Sequence, residues 1–558
     1  MRYSGAEIII KLLEQEGVEI VAGIPGGANL PLYDALYKSK IRHVLARHEQ
    51  GAGFIAQGMA RSTGRAAVCL ATSGPGATNL LTAIADAKMD SVPLVAITGQ
   101  VASNLIGSDA FQEVDMYGLT VPITKHNYLV SSADDLLNII PEAFQLAQTG
   151  RPGPVAIDVP KDIQNQQLDI AEWPAAQPDI KQSYPIGENA VKAAVELIAG
   201  CERPVLYIGG GIVHSGASER LIELARKNSI PVATTLMGMG SFPDDDPLYL
   251  GMLGMHGSRY TNYIINEADL LIAFGVRFDD RATGNIQTFC PDAAVIHVDI
   301  DPAELDKLRT AHVSIRADIG VVLDRILPLV ERNSRRGWLN RVEQLKERYP
   351  FVMPGRHDHY HPLNIIRYLG MKVGPDTIIS TDVGQHQMWV AQSYPFSRPR
   401  TLLTSGSLGT MGFGLPAAIG AALANPDKRV LCFSGDGSIL MNIQELATLA
   451  DWQLNIAIIV FNNGHLGLVR QQQELFYQGH YIASRFRTSP NFAALARSFG
   501  IRGYDLDPNE DPYAMLNDCL YQAGPCLINV PIDGSTNVFP MVPPGKAIYE
   551  MIGGEQHA

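Results

Sequence analysis

The 558-residue sequence lacks the features of membrane, nucleic-acid-binding and disulfide-rich proteins. No apolar stretch reaches the roughly 18 residues that cross a bilayer. Lysine and arginine (44) are outnumbered by aspartate and glutamate (57), which leaves a formal net charge of −13. Neither nucleic acid nor an anionic membrane is therefore an expected partner. The six cysteines are scattered without a C-x-x-C pair, which favours reduced structural thiols in a cytosolic or organellar protein.

The first residues also lack the form of a signal peptide. They have no cationic leading region, and three glutamates interrupt the apolar residues, so the segment is predicted to be a helix of the mature protein. Ser4 and Glu7 predict a capping box at its start, and Gly17 predicts its end. We therefore expect a cytoplasmic location.

Short β-rich runs alternate with helical patterns almost throughout the chain. This alternation predicts an α/β fold made of doubly wound parallel sheets. It is interrupted by a proline-rich polar stretch at 171–189 and by a charged helix and linker at 333–363. We therefore expect three domains, at 1–170, 185–335 and 360–545, each with glycine loops at the carboxyl ends of strands, where open α/β sheets bind ligands.

The stretch GDGSILMNIQELATLADWQLNIAIIVFNN, residues 435–463, predicts one βαβ unit. Its right-handed crossover should bring Asp436 and Asn463 to the same edge of a sheet. A carboxylate oxygen, an amide oxygen and a backbone carbonyl suit Mg²⁺, which fills its other positions with water and phosphate. The amino terminus of the helix predicted to begin at Ser438 would attract the negative charge of a diphosphate. The alternative is that GDG is an ordinary turn and that NN merely ends a strand.

The pairing of GDG with a later NN resembles the metal and diphosphate motif of thiamine-diphosphate enzymes. The stretches DVGQHQMW (382–389) and SGSLGTMGFGLPAAIGAAL (405–423) are similar to the same family. The resemblance implies that Asp436, Asn463 and the main-chain carbonyl of His465 hold Mg²⁺. It also implies contacts with thiamine diphosphate from Val383, Gly384, Gln385, His386, Gly409, Met411, Gly437 and Ser438.

The stretch RHEQGAGFIAQGMAR, residues 47–61, places Glu49 at the head of a small-residue helix. By itself Glu49 fits a first-turn residue favoured by the helix dipole. The family resemblance implies instead that Glu49 shares a proton with the aminopyrimidine ring of the cofactor, from the domain opposite the metal. Such sites form between subunits, so the resemblance implies a homodimer or a higher oligomer.

The central stretch RPVLYIGGGIVHSG is a strand with a glycine turn, but His214 replaces the last glycine of G-x-G-x-x-G. As a dinucleotide fingerprint it is therefore weak. Acidic residues at strand ends can bind a ribose or an adenine. A Rossmann-like core without a ligand is the alternative. The resemblance implies FAD, placed on or near Arg151, Gly210, Met255, His256, Arg277, Asp280, Arg281, Asp299 and Asp318.

From GIPGG to FPMVPPG the chain resembles the catalytic large subunits of acetohydroxyacid (acetolactate) synthase, with motifs such as SGPGATN, GMLGMHG and FGVRFDDRATGN. The resemblance implies that pyruvate is decarboxylated and its two-carbon unit is joined to a second 2-ketoacid, pyruvate or 2-ketobutyrate, in branched-chain amino-acid biosynthesis. It also implies a flavin without a redox role and a separate small regulatory subunit.

The same resemblance places the side chains or backbone of Gly27, Gln112 and Lys161 around the active centre. Arg281 would pair with the carboxylate of the acceptor, since arginine binds carboxylates with two hydrogen bonds. Many family members have a tryptophan where this sequence has Gln472, and that ring favours 2-ketobutyrate. Its absence leaves the preference for the acceptor open and favours pyruvate.

Two other functions stay open at this point. A pyruvate oxidase or a 2-ketoacid decarboxylase would share the thiamine motifs but would need a redox-active flavin or a proton donor. A noncatalytic nucleotide-binding sensor would keep the fold, although it has no use for Glu49 together with Asp436 and Asn463. The HDHYH cluster at 357–361 suggests a metal site, but its proline-flanked position favours a solvated linker.

Overall fold

The computed structural model describes residues 1–174 and 184–554. They form three six-stranded parallel sheets with helices packed on them, which confirms the expected α/β architecture. Part of the proline-rich stretch at 171–189 lies outside the described residues.

The first sheet belongs to the amino-terminal third of the chain. The six strands of this sheet are β2 (Ile20–Gly23), β3 (Arg42–Leu45), β4 (Ala67–Ala71), β5 (Leu94–Gln100), β6 (His126–Leu129) and β7 (Pro154–Pro160). A separate two-stranded sheet is formed by β1 (Arg2–Ser4) and β8 (Gln167–Asp169). The helices are α1 (Gly5–Gln15), α2 (Leu30–Tyr37), α3 (Glu49–Thr63), α4 (Pro75–Asn79), α5 (Leu81–Met89), α6 (Met116–Thr120), α7 (Leu136–Gln148) and α8 (Lys161–Asn165). The sheet order is β3-β2-β4-β5-β7-β6, and β1 pairs antiparallel with β8.

The second sheet occupies the middle of the chain. Its strands are β9 (Pro204–Ile208), β10 (Val232–Thr234), β11 (Tyr249–Met252), β12 (Leu270–Phe274), β13 (Ala294–Asp299) and β14 (Val313–Arg316). Its helices are α9 (Glu188–Gly200), α10 (Gly210–Ser215), α11 (Ser218–Asn228), α12 (Arg259–Asn266), α13 (Asp280–Thr283), α14 (Ile319–Ile326) and α15 (Arg336–Arg348). The order β11-β10-β9-β12-β13-β14 is that of a Rossmann fold.

The third sheet forms the carboxy-terminal part. Its strands are β15 (Ile378–Thr381), β16 (Leu402–Leu403), β17 (Val430–Gly435), β18 (Ile456–Asn462), β19 (Arg502–Asp505) and β20 (Cys526–Pro531). Its helices are α16 (Pro362–Lys372), α17 (Gln385–Ser393), α18 (Gly414–Ala424), α19 (Asp436–Ile439), α20 (Glu445–Trp452), α21 (Gly467–Phe476), α22 (Phe492–Ser498) and α23 (Pro512–Tyr521). The order is β16-β15-β17-β18-β20-β19.

The first and third sheets share one topology. When the strands of each six-stranded sheet are numbered from its own start, both sheets have the order 2-1-3-4-6-5. Equivalent strand ends therefore occupy equivalent places in the two domains. The sequence shows no repeat that would predict this duplication.

Several local predictions are confirmed, and one needs correction. Ser4 and Glu7 form the capping box of α1, and Gly17 has the positive φ of a helix end. The strands β17 and β18 lie side by side and parallel, as the βαβ prediction requires. The connecting helix, however, begins at Asp436 rather than at Ser438 and is broken into α19 and α20.

Two segments beyond the expected boundary at 335 pack on the central domain. The indole of Trp338 in α15 is 4% exposed and donates to the carbonyl of Pro204 at 3.0 Å. The chain near its end returns to the same domain, where Asn285 donates its N–H to the carbonyl of Lys546 at 2.9 Å. The exact domain boundaries stay predictions.

Helices α3 and α18 join the first domain to the third. A Cβ added at Gly58 would lie 2.1 Å from the carbonyl oxygen of Ala417, and one at Gly420 would lie 1.9 Å from that of Ile55. Only glycine allows this approach of the two backbones. The ring of Phe54 meets Phe413 edge-on at 5.2 Å, which continues the apolar core across the interface.

Within the described residues, no helix has both the length and the apolar character that crossing a membrane requires. All six cysteines are free, and five of them are buried. In the HDHYH segment, His361 caps the start of α16, while His357 and Asp358 are exposed.

Candidate functional site

The residues predicted to bind thiamine diphosphate and Mg²⁺ in the third domain lie at the carboxyl ends of four neighbouring strands of its sheet. Val383 to His386 follow β15, and Gly409 and Met411 follow β16. Asp436 to Ser438 follow β17, and Asn463 to His465 follow β18. Because parallel strands end at one edge, the structure brings all of these residues together.

Asp436 and the turn after β18 are in direct contact. A carboxylate oxygen of Asp436, which is 2% exposed, accepts the N–H of Gly464 at 2.9 Å. Burial raises the pKa of Asp436 to about 6. The amide oxygen of Asn463 accepts the N–H of His465 at 2.9 Å. A buried carboxylate beside an amide oxygen and backbone carbonyls is a donor set that suits Mg²⁺.

This set contains a single carboxylate. Within 1–174 and 184–554, no group of three His, Cys, Asp or Glu side chains is placed to hold a metal ion. A metal at Asp436 would therefore depend on neutral oxygen ligands and on a phosphate, as Mg²⁺ in phosphate sites usually does.

His386 provides an unpaired polar atom beside the same turn. Its Nε2 is buried and has no hydrogen-bond partner, and its ring lies 3.0 Å from where a Cβ of Gly435 would be. Burial lowers the pKa of His386 to about 3, which keeps the ring neutral. The next residue back, Gln385, accepts a hydrogen bond from the amide of Asn463 at 3.1 Å. An unsatisfied buried atom at this place fits a bound polar group.

Asp382 is not among the predicted site residues, although it lies beside them. Its Oδ1 accepts the N–H of Val383 at 2.9 Å and that of Gly412 at 2.8 Å, which ties the turn after β15 to the loop that carries Gly409 and Met411. Burial raises the pKa of Asp382 to about 6. Its position at a strand end, as the first letter of DVGQHQ, is the signal that could have identified it.

Glu49 lies at the corresponding edge of the first sheet, as the first residue of α3. It is partly exposed, and one carboxylate oxygen accepts a hydrogen bond from the amide of Asn79 at 2.9 Å. A Cβ at Gly76 would lie 3.2 Å from the other oxygen, so the glycine leaves that oxygen accessible. Asn79 was not predicted, although it ends the quoted motif SGPGATN.

The remaining predicted residues of the first domain also follow strand ends. Gly27 comes after β2, Gln112 after β5 and Lys161 after β7. Gln112 has a positive φ of 61° and lies against Gly74, where a Cβ would be 2.8 Å from the Cβ of Gln112. Lys161 is exposed, and Gly27 has nothing within 4 Å of an added Cβ, so this edge is open in one chain.

A cavity of about 2380 Å³ runs between the three domains. Its walls contain all of the residues predicted for FAD, namely Arg151, Gly210, Met255, His256, Arg277, Asp280, Arg281, Asp299 and Asp318. Strands β9 and β12 end beside it, and the strand order reverses between them. In open α/β sheets such a reversal opens a crevice that binds ligands.

The turns at this crevice are packed through glycine. A Cβ at Gly211 would lie 2.5 Å from the Cα of Gly275, so the backbones after β9 and β12 touch. At the end of β13, burial raises the pKa of Asp299 to about 6. Next to the cavity, the Nδ1 of His256 is buried without a hydrogen-bond partner. Size, glycine turns and an unsatisfied polar atom together fit a dinucleotide.

Polar side chains on the cavity wall differ in their hydrogen bonds and in their exposure. Arg151 donates to Asp301 at 3.1 Å and to Glu304 at 2.7 Å, which links the first domain to the second. Arg281 is largely exposed and contacts the sulfur of Met255 at 3.3 Å. Gln472, on α21, is exposed and lines the same cavity.

Family comparisons agree with this arrangement. Models of the thiamine pyrophosphate enzymes match the chain as an N-terminal TPP binding domain at 3–119, a central domain at 191–326 and a C-terminal TPP binding domain at 382–530. The fold and the site therefore define a thiamine-pyrophosphate-dependent enzyme.

Curated relatives make the assignment narrower. The chain is 55% identical to the acetolactate synthase isozyme 1 large subunit of Escherichia coli K12, over 99% of this chain and 98% of that one. It is 46% identical to the isozyme 2 large subunit of the same organism, over 98% and 99%, and to the acetolactate synthase large subunit of Parasynechococcus marenigrum, over 99% and 91%. The chain belongs to the family of acetolactate synthase large subunits.

Proposed function

We propose that the chain decarboxylates pyruvate and joins the remaining two-carbon unit to a second 2-ketoacid, which releases a 2-acetohydroxyacid for branched-chain amino-acid biosynthesis. The observation that carries this proposal is the contact between Asp436 and the Asn463–Gly464 turn, with the unpaired His386 beside it. That contact supports a metal and diphosphate site in a family whose members are named acetolactate synthases.

Thiamine diphosphate, when bound, supplies the carbon nucleophile and accepts the electron pair that decarboxylation releases. The chain's own groups would hold it. Asp436, Asn463 and the carbonyl of His465 would bind Mg²⁺, and the backbone of Gly437 and Ser438 would line the diphosphate. The backbone of Gly409 and the side chain of Met411 would support the aminopyrimidine and thiazolium rings.

Glu49 would hold a proton at the aminopyrimidine ring. Asn79 binds one of its oxygens, so the carboxyl group has one fixed and one available oxygen. This arrangement supports a proton-sharing role, since a general acid or base must be oriented before it can act. Gly27, Gln112 and Lys161 would complete the wall around the reacting atoms.

The acceptor ketoacid would lie in the cavity. Arg281 would bind its carboxylate with two hydrogen bonds. Gln472 would face its alkyl group, and because an amide gains nothing from a methyl group, we propose that pyruvate and 2-ketobutyrate compete on nearly equal terms.

FAD would occupy the central cavity without transferring electrons. The cavity's size and the glycine turns at Gly209 to Gly211 and Gly275 support a dinucleotide there. A flavin-dependent pyruvate oxidase is the second candidate, because the same cavity would accept a redox-active flavin.

One experiment separates the two candidates and the decarboxylase. The chain is incubated with pyruvate, Mg²⁺, thiamine diphosphate and FAD, and acetolactate, acetaldehyde and acetyl phosphate are assayed together with oxygen uptake. We expect acetolactate as the main product with little oxygen consumed. Oxygen uptake that equals carbon dioxide release would support the oxidase, and acetaldehyde as the main product would support the decarboxylase.

We also propose that each active site is completed by a second copy of the chain. The side chain of Phe111, next to Gln112, is 88% exposed, and Val121, which follows α6, is 57% exposed. Large apolar groups exposed beside a site suit a subunit interface. The order of the oligomer can be measured by analytical ultracentrifugation.

Mixed oligomers test this arrangement directly. Glu49→Gln and Asp436→Ala chains, each inactive alone, are unfolded together and refolded. In a symmetric dimer with sites between subunits, a hybrid has one site with both defects and one intact site. When the two chains are mixed in equal amounts, about half of the dimers are hybrids, so about a quarter of the normal activity should return. Sites within single chains would give no recovery.

The names of the relatives as large subunits support a separate small regulatory subunit. The cytoplasmic location and the division at 1–170, 185–335 and 360–545 stay predictions. Protease digestion of the folded chain would test the domain boundaries.

A further inference from the structure

The loop that carries Gly409 and Met411 rests on two buried aspartates of the first domain. We define residues 404–412 as the thiamine loop. The N–H groups of Gly406 and Ser407 donate to Asp90 at 2.9 and 3.0 Å. The hydroxyls of Ser405 and Thr410 donate to Asp86, the second of them at 3.1 Å. Four donors of the loop therefore satisfy two carboxylates that come from another domain.

Arg61 balances part of the buried charge. Its guanidinium lies 2.9 Å from Asp86 and 3.0 Å from Asp90, and the carboxylates are fully buried. Burial, followed by the neighbouring Asp90, raises the pKa of Asp86. One cation facing two carboxylates leaves an excess of negative charge, so the donors of the loop are needed to stabilise the group. These bonds attach the thiamine loop to the first domain.

Arg277 connects this cluster to the cavity between the three domains. Its guanidinium donates to the hydroxyl of Ser407 at 2.5 Å and to the carbonyl of Met89 at 2.8 Å. The hydroxyl of Ser407 in turn donates to Met89 at 3.3 Å. One side chain of the central domain therefore connects the first domain to the thiamine loop. Arg277, Met89 and Ser407 all line the cavity.

We propose that Arg277 and Ser407 couple the two cofactor sites, so that a dinucleotide in the central cavity holds the thiamine loop in the position that binds the aminopyrimidine ring. The inference rests on the proposed function, since it requires both cofactors. Arg277 lines the cavity and bonds Ser407, so a dinucleotide packed against Arg277 would hold this side chain in the conformation that bonds Ser407. Because a loop that is fully in its binding conformation binds more tightly than one that is only partly so, thiamine diphosphate binding improves.

Binding measurements on the flavin-free chain test the proposal. Thiamine diphosphate with Mg²⁺ is titrated calorimetrically, with and without saturating FAD. We expect FAD to tighten thiamine diphosphate binding by a factor in the usual range for linked sites, about 5- to 150-fold. By reciprocity, thiamine diphosphate should tighten FAD binding by the same factor.

Three variants separate coupling from simple support of the loop. Ser407→Ala removes the hydroxyl that Arg277 bonds, and it should reduce the coupling factor to less than about twofold while both cofactors still bind. Thr410→Val removes a bond to Asp86 outside the Arg277 contact, so it should weaken thiamine diphosphate binding in the absence of FAD, while FAD still tightens that binding at least as much as in the unmodified chain. Ser498→Ala removes an exposed hydroxyl bonded within α22 and should match the unmodified chain.

A measurement on the unmodified chain keeps the test independent of variant folding. Hydrogen exchange of residues 404–412 should slow when FAD alone is added. Independent binding of the two cofactors, or an unchanged coupling factor in Ser407→Ala, would overturn the coupling while leaving the proposed function intact. A chain that binds no FAD would overturn the proposed cofactor and the coupling together.

Discussion

Replacing Gly420 by alanine tests whether the approach of α3 and α18 is essential. A Cβ at this position would lie 1.9 Å from the carbonyl oxygen of Ile55 and 3.0 Å from the nitrogen of Met59. Both neighbours are backbone atoms of α3, so no side-chain rotation can make room. An ordinary contact begins near 3.4 Å, and the two helices would have to separate by about 1.5 Å.

That separation would affect both stability and catalysis. Overpacking a well-packed core usually costs about 1 to 3 kcal/mol, and a clash with backbone on one side belongs at the upper end. For domains of this size, roughly 3 kcal/mol lowers the melting temperature by about 6 to 12 °C. Helix α3 begins at Glu49, and α18 follows the thiamine loop. Because a displacement of 1 Å at reacting groups can cost about 10²-fold in rate, activity should fall as well.

Thermal melting and acetolactate formation are measured for Gly420→Ala and for a matched control. Gly337 lies in α15, is exposed and has nothing within 4 Å of an added Cβ. Alanine there should leave activity unchanged and stabilise the helix by up to about 1 kcal/mol. If Gly420→Ala has the same melting temperature as the unmodified chain and keeps its activity, the interface between α3 and α18 is not tightly packed and the reasoning is wrong.

Three further substitutions test the proposed site. Asp436→Ala should abolish retention of thiamine diphosphate in a folded protein, because it removes the carboxylate from the metal set; full activity at limiting Mg²⁺ would contradict this. Glu49→Gln should lower turnover by about 10² to 10⁴ and weaken cofactor binding less, whereas near-normal turnover would make Glu49 an ordinary first-turn residue. Gln472→Trp should shift the product ratio in a competition assay toward the 2-acetohydroxyacid formed from 2-ketobutyrate, by the roughly 1 to 3 kcal/mol that one methylene contributes in an apolar pocket. An active variant with an unchanged product ratio would refute that role.

Sequence patterns predict the positions of residues that follow strand ends. The turns after β17 and β18 are predicted to lie at one edge because parallel strands joined by a right-handed crossover end there, whereas the residues after β15 are assigned through the family resemblance. The prediction that Asp436 and Asn463 meet agrees with the hydrogen bond from Gly464, the residue after Asn463, to Asp436. Asp299 and Asp301 are predicted at the end of a single central strand, and both line the cavity.

Contacts between domains were beyond the reach of local patterns. Asp90 and Gly406 are 316 residues apart, and Arg47 and Glu445 are 398 apart, yet each pair is hydrogen-bonded at 2.9 Å. Neither the spacing nor the residue types of such pairs indicate a partner. The break between α19 and α20 was missed for a related reason, since the apolar spacing continues across it while Asn442 turns to the carbonyl of Gly412 at 2.8 Å.

Glu445 shows how these contacts between domains control the position of a catalytic candidate. Its carboxylate, which is 0% exposed, accepts the N–H groups of Arg47 at 2.9 Å and of His48 at 3.1 Å, immediately before Glu49. Asn442 also reaches Gln50, immediately after Glu49, at 3.1 Å. The backbone immediately before Glu49 and the side chain of the residue immediately after it are therefore held by the third domain. Motifs identify which groups can perform the chemistry. The direction in which the Glu49 carboxyl points depends instead on a domain interface, because α3 is held by Glu445 at its start and by α18 along its length.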